Sequence, residues 1–355
     1  MLTLHYSRRP LRFNFPARTS RGALTEHVAW YLHLHDTSRP DVVGLGEAAP
    51  LAGLSPDYGP GFETQLQALC AEFNHRALPA LLPDHAHQFV GEALPALRFA
   101  LETALLDLQN GGRRLLYDTP FSQGKAGLPI NGLVWMGDAA FMREQIQKKL
   151  AEGYSCLKLK IGSLDFATEL QLLREIRAVA GPDQLTLRVD ANGAFAPAEA
   201  LARLEALSAF HLHSIEQPIA AGQWPAMARV CRESPVPVAL DEELIGVPEG
   251  QEVELLTEIR PAYIILKPTL LGGLHRTHSW LTTADRLGVG WWLTSALESN
   301  VGLNAISQFA SQYVTDGFPQ GLGTGQLYHN NVAAPLHIRG GALHYNPQEA
   351  WELPE

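Results

Sequence analysis

Between residues 28 and 35 the chain alternates: Val28, Trp30, Leu32 and Leu34 are set between Ala29, Tyr31, His33 and His35. That period of two predicts a β-strand. Residues 12–15 are its expected hairpin partner, with 16–22 and 50–60 as loops rich in turn residues. Residues 61–74 and 96–110 read as helices; in the second, Leu97, Leu101, Ala104, Leu105 and Leu108 share a face, and Gly111-Gly112 supplies a stop. The first 125 residues thus predict a small antiparallel sheet followed by helices.

From about residue 129 the pattern changes. Short apolar runs recur at 130–135, 157–161, 185–189, 212–215, 236–240, 263–266 and 290–293, with a weaker eighth near 320–325. Amphipathic helical stretches separate them, such as Leu170, Leu173, Ile176 and Val179. About eight strand–helix alternations predict a parallel sheet closed into a barrel. No Gly-rich dinucleotide fingerprint comes after the first strand, which argues against an open doubly wound sheet. The fold class expected is α/β: a (β/α)7β TIM-like barrel with an α+β N-terminal capping domain. The divisions expected are a cap at 1–125, a barrel at 126–328 and a C-terminal segment, 329–355, returning to complete the cap.

Composition narrows the function. The chain has 355 residues, 27 Lys and Arg against 37 Asp and Glu, a net charge of −10 and 46% hydrophobic residues. A core is assured, and the acidic balance without a basic block argues against nucleic acid and anionic membrane surfaces as partners. No apolar run is long enough for a transmembrane helix, and residues 1–10 lack the apolar stretch of a secretory signal. Cys70, Cys156 and Cys231 form neither a disulfide framework nor a zinc motif, so a reducing cytoplasm is the expected setting. Nothing in the sequence sets an oligomeric state. The histidine pairs 33/35, 85/87 and 211/213 lack further ligands nearby, and Gly44-Leu45-Gly46 and Gly321-Leu322-Gly323 read as turns rather than phosphate loops.

The chemistry lies at the ends of the apolar runs. Lys158 and Lys160, Asp190, Glu216, Asp241 and Lys267 end five consecutive strands, and from Lys160 onward they are 30, 26, 25 and 26 residues apart. Each step is about one strand–helix unit, so each charge takes the same place at the C-terminal end of its strand, where barrel active sites lie. Three carboxylates brought so close require a cation. All-oxygen ligands suit Mg²⁺, with open positions left for substrate oxygens. Lys158 and Lys160 are two apart and share a side of their strand. Two adjacent ammonium groups are expected to lower each other's pKa, making one a usable base.

These residues closely resemble the enolase superfamily, whose sites pair a Lys or His base with Mg²⁺. The Lys-x-Lys at 158–160 with Lys267 opposite is like its muconate-lactonising subgroup. The stretches 295–304, 321–325 and 53–56 resemble the branch that forms an aromatic succinylbenzoate. The resemblance implies a lyase of menaquinone biosynthesis: syn dehydration of a cyclohexadiene carboxylate through a metal-stabilised ene-diolate. It implies Mg²⁺, with Mn²⁺ as substitute, at Asp190, Glu216 and Asp241. It implies Lys160 as base, Lys158 as the neighbour that lowers its pKa, and Lys267 as electrostatic support. Ser299, Gly323, Thr324 and Arg21 are then the expected substrate contacts, with Arg18 beside Arg21, and Asn192 and Glu242 the supporting residues, Glu242 holding a lysine. Dipeptide epimerases, also similar, usually carry Asp-x-Asp where this chain has Gly323-Thr324-Gly325, so a substrate ammonium would find no partner. Racemisation of N-succinylamino acids and dipeptide epimerisation are the alternative activities. A non-catalytic barrel would be expected to have lost one of the six charged residues.

Overall fold

The structure is a computed structural model and describes residues 1–19, 22–314 and 317–353. Three antiparallel strands open the chain: β1 (Leu2–Thr19), β2 (Gly22–Asp36) and β3 (Arg39–Ala48). Residues 16–19 belong to β1 rather than to a loop. Pairing runs from Leu2↔Asp36 to Thr19↔Gly22, with a register shift between Arg12 and Ala17. The shift absorbs Pro16, which has no N–H to give to a ladder. Helices α1 (Phe62–Arg76) and α2 (Pro95–Gln109) cover the sheet. Gly44 and Gly46 lie in β3, not in a turn. A Cβ at Gly46 would stand 1.9 Å from the Ala100 carbonyl oxygen, so the glycines let α2 lie directly on the strand. Leu4, Leu32, Leu34, Phe62, Phe73 and Leu101 form the core beneath.

After β4 (Leu128–Pro129) comes the alternating region: β5 (Gly132–Val134), α3 (Ala139–Ala151), β6 (Cys156–Lys160), α4 (Phe166–Val179), β7 (Thr186–Asp190), α5 (Ala200–Ser208), β8 (Ser214–Glu216), α6 (Trp224–Glu233) and β9 (Val238–Leu240). It continues through α7 (Glu252–Ile259), β10 (Tyr263–Leu266), α8 (Pro268–Leu271), α9 (Leu274–Leu287), β11 (Gly290–Leu293) and α10 (Asn300–Ala310). The seven strands β5 to β11 are parallel neighbours in chain order. Residues 320 and 321 close the ring: Gln320 bridges to Ile130 and Gly321 to Thr294, both parallel. Apolar side chains on the outer faces of the strands, such as Leu157, Val189, Ile215 and Leu240, meet Leu173, Leu204 and Leu255 from the surrounding helices. Arg188 fills the barrel beneath the site, its guanidinium 4.2 Å from the Trp292 ring centroid and 4.6 Å from that of Phe318.

The chain then runs along β1, where the Asn14 N–H donates to the Leu327 carbonyl and the His329 N–H to that of Arg12. It ends in the hairpin β12 (Leu336–Arg339) and β13 (Ala342–Tyr345), and β13 pairs with β4.

Candidate active site

Lys160, Asp190 and Glu216 are the last residues of β6, β7 and β8, and Asp241 and Lys267 come directly after β9 and β10. Register pairs Lys160 with Asp190 and Asp190 with Glu216. The six charged residues therefore meet at one end of the barrel. Lys158 Nζ lies 3.0 Å from Asp190 Oδ2 and 2.5 Å from Glu216 Oε2. Lys160 Nζ lies 3.0 Å from the same Asp190 oxygen and donates to Asn192 Oδ1 at 2.7 Å. Lys267 Nζ is 2.5 Å from Asp241 Oδ2.

Electrostatics here run opposite to the sequence expectation for Lys158. Burial alone would lower its pKa, but the Asp190, Glu216 and Asp241 carboxylates together drive it above the ordinary lysine value. Lys267 is likewise raised, the pull of Asp241 and Glu216 exceeding the effect of burial. The mutual repulsion of the lysines is present, as Lys158 acts to lower Lys267, but the nearer carboxylates outweigh it. Glu216 is raised well above the usual carboxylate range, first by burial and then by the charge of Asp190, against the pull of Lys158. Its Oε1 is buried without a hydrogen-bond partner. An unpaired oxygen beside two further carboxylates is a place for a positive ion, and the donor set is all hard oxygen, as Mg²⁺ prefers. Among the described residues no three acidic, His or Cys side chains are drawn round a single point closely enough for an ion. The Lys158 ammonium occupies the space between Asp190 and Glu216 instead.

Asn192 sits in the left-handed region, φ 43°, which asparagine tolerates better than most residues. From there its N–H donates to Asp190 Oδ1 and its amide nitrogen to Glu242 Oε1 at 3.1 Å. Glu242 thus supports Lys160 through Asn192, and its charge also acts on Lys267, raising that lysine's pKa. Gln217, also at positive φ, ties β8 to the residues after β9: its Oε1 accepts from the Asp241 and Glu243 N–H groups and its amide nitrogen donates to Glu243. The strand-end charges do not point to it, because an amide after a strand carries no charge to flag it.

A cavity of about 790 Å³, open mouth included, lies over these groups. Lys158, Lys160, Asp190, Asn192, Glu242 and Lys267 line its floor and sides. Gly323 and Thr324 form part of its wall, and Leu51 and Leu54 of the 50–60 loop cover it. Thr324 donates to Ser295 Oγ at 2.8 Å, and Ser295 donates to Glu298 Oε2 at 2.5 Å. Ser299 is displaced from its expected place. It is fully buried and caps α10, its hydroxyl donating to Glu47 Oε2 at 2.6 Å, so it does not line the cavity. Arg21 lies outside the described residues, as does the Arg18 side chain. Asn131, Leu133 and Trp135 line the cavity at alternate positions, and Thr294 lines it just beyond β11. Their period of two marks a strand in the sequence, but not which face turns inward.

The family model described as enolase C-terminal domain-like matches residues 141–349. The o-succinylbenzoate synthase of Desulfotalea psychrophila is 47% identical over 96% of this chain and 98% of its own length. That of Thermosynechococcus vestitus is 30% identical over 72% and 73%. The crystal structure of MenC from Desulfotalea psychrophila superposes with a TM-score of 0.83 at 46% identity, covering 97% of this chain and 99% of that one. The L-Ala-D/L-Glu epimerase of Bacillus subtilis shares the fold, with a TM-score of 0.81 at 20% identity over 97% and 95% of the two chains. With six strand-end charges at one barrel mouth and a family match across more than half its length, the chain belongs to the enolase superfamily.

Proposed function

We propose that this site is that of an o-succinylbenzoate synthase, a hydro-lyase that dehydrates the succinyl-substituted hydroxycyclohexadiene carboxylate of menaquinone biosynthesis. The observation that carries this reading is the placement of Lys160 and Lys267 on opposite sides of three carboxylates, in a cavity whose eighth-strand wall is uncharged. Enolase-superfamily enzymes are generally dependent on a divalent metal, and here Asp190, Glu216 and Asp241 would hold Mg²⁺ or, in its place, Mn²⁺. Bound there, the ion supplies positive charge to the substrate carboxylate as the adjacent proton leaves.

The protein's own residues do the rest. Lys160, held by Asp190 and Asn192, takes the proton from the carbon beside the carboxylate. Lys158 balances charge on the metal-binding acids, and Lys267 faces the developing oxyanion from the other side, where fixed positive charge is worth most. The C–O bond of the neighbouring carbon then breaks. The departing hydroxide takes the proton from Lys160 and leaves as water, and the new double bond completes the aromatic ring. Both events occur on the Lys160 face, so elimination is syn. Leu51, Leu54, Trp135 and Leu297 keep bulk water from the cavity.

The test is a spectrophotometric assay for succinylbenzoate formation by the purified chain, with Mg²⁺ and with excess chelator. Product in the first arm and none in the second is expected; no product in either would overturn the assignment. Racemisation of N-succinylamino acids is a second activity of the same site. It is favoured by the two lysines reaching the cavity from opposite walls, which permits proton removal on one face and return on the other. Polarimetry with N-succinylamino acids tests it. Dipeptide epimerisation is disfavoured by the uncharged Gly323-Thr324-Gly325 stretch.

A further inference from the structure

Away from the active site, the seam between α2 and the α8–α9 region contains two adjoining cavities of about 440 and 570 Å³, mouths included. Arg98 and Arg276 line both. Arg98 is 8% exposed and Arg276 4%. Arg276 is provided for: its Nη2 donates to the Val247 and Pro248 carbonyls, and Nη1 pairs with Glu252. Arg98 is not. Its side chain makes one hydrogen bond among the described residues, from Nε to the Val90 carbonyl at 3.0 Å. The expected helical partner, Glu102 four residues on, lines the same cavity and feels the Arg98 charge, but its oxygens accept the Leu274 and His275 N–H groups at 2.6 and 2.7 Å rather than an Arg98 N–H. Among the described residues, both Nη groups of Arg98 are therefore left without a protein acceptor and open into the cavities, where a ligand oxygen can replace water as their acceptor.

We propose that this seam binds a small carboxylate with an apolar body, held bidentately by Arg98. A guanidinium fork matches a carboxylate in geometry. The larger cavity is otherwise mostly apolar, with Pro56, Pro95, Leu244, Val247, Leu270 and Leu271 in its wall. Glu92 in the same wall, and Asp84, Glu102 and Glu249 in the neighbouring one, disfavour a dianion such as phosphate, so the occupant proposed carries a single negative charge, placed at the Arg98 fork. The occupant would touch the backs of three segments that shape the active site. Pro56 belongs to the loop that supplies Leu51 and Leu54, Leu244 and Val247 come after Glu242, and Leu270 and Leu271 come after Lys267. Binding is thus expected to change turnover without competing with substrate; this kinetic part alone rests on the proposed synthase activity.

The experiment uses the full chain and benzoate as the probe, with benzamide as the uncharged control at equal ionic strength. Calorimetry should find benzoate binding to the wild type, and a melting temperature raised by about 2 °C at roughly ten times Kd. In Arg98→Met the affinity should fall by about tenfold or more, the range for loss of a charge-assisted pair, while basal turnover persists. Should Arg98→Met fold poorly, Arg98→Lys keeps the charge without the fork and should still weaken binding. Equal benzoate affinity in wild type and variants, equal stabilisation by benzamide, or no binding to the wild type would each overturn the proposal. Because binding is read without an assay, failure of the synthase reading would leave it intact. Benzoate acting as a competitive inhibitor alone, undiminished in Arg98→Met, would place it in the active site and overturn the seam.

Discussion

Two sets of buried acids distinguish the barrel mouth from the cap–barrel seam. At the mouth, Asp190, Glu216 and Asp241 are held by lysine ammonium groups, and Glu216 Oε1 is held by nothing among the described residues. At the seam, Glu47 from β3 accepts from the N–H groups of Ser299 and Gly302 and from the Ser299 hydroxyl, and Glu102 from α2 accepts from the first N–H groups of α9. Both seam acids sit at helix N-termini, where free N–H groups and the helix dipole favour negative charge. An acid satisfied by backbone amides has a fixed place and no exchangeable partner. An acid held by lysine ammonium groups, with an oxygen to spare, can exchange that partner for an ion. The first arrangement fastens one part of the molecule to another; the second is poised for chemistry.

The largest effect expected is at the mouth. Lys160→Ala should lower kcat by about 10²–10⁴-fold, the usual contribution of a positioned base, while calorimetry still detects Mg²⁺ binding. Full turnover in that variant would remove Lys160 from the mechanism. Glu216→Gln tests the acids of the same set. Its affinity for Mg²⁺ should fall by more than the ~10–100-fold typical of losing a supporting contact. Unchanged affinity would move the metal elsewhere.

The contrast also explains what the sequence disclosed. The mouth was legible because a strand–helix unit has a nearly constant length, so charges recurring at that interval must fall on one end of a barrel. The seam was not. Glu47 and its partner Ser299 are 252 residues apart, and no local pattern links them. Glu102, four residues after Arg98 on a helix, reads as half of an ordinary surface ion pair, and only the docking of α9 diverts it. Ser299 was expected at the substrate for the same reason: it lies in a stretch resembling that of active relatives, but its hydroxyl faces the cap. The extent of β1 was hidden by Pro16, a residue that breaks most strands and here sits where the register shifts.

At the seam the expected losses are of stability rather than turnover. Glu47→Ala strands two buried N–H groups and should cost about 3 kcal/mol in chemical denaturation, at roughly 1–3 kcal/mol per unsatisfied group, with kcat nearly unchanged. A kcat loss as large as that of Lys160→Ala, without lost stability, would erase the distinction between the two regions.

pH sharpens the comparison. Burial raises the pKa of Glu47 from 4.5 to about 7, against its hydrogen bonds to Ser299 and Gly302. Burial does the same to Glu102, from 4.5 to about 7, against its bonds to His275 and Leu274. Between those values the folded chain binds more protons than the unfolded one, so stability should fall as pH rises from about 4.5 through 7 and level off above. Glu47→Gln and Glu102→Gln should each flatten that slope in denaturation curves measured across the range. A slope unaltered in both variants would show that neither acid titrates in the fold.

The smallest effect expected is that of Ser299→Ala, and it separates the two regions most sharply. The serine is both the N-cap of α10 and the donor to Glu47, so its loss should cost about 1 kcal/mol, as removal of a helix cap does. Because its hydroxyl is turned from the cavity, KM for the cyclohexadiene substrate should stay within the error of the wild-type value. Thr324→Ala should raise KM instead, since Thr324, unlike Ser299, lines the cavity. If Ser299→Ala raised KM and left the denaturation midpoint alone, Ser299 would belong to the substrate after all, and Glu47 would lose the hydroxyl that helps hold the cap to the barrel.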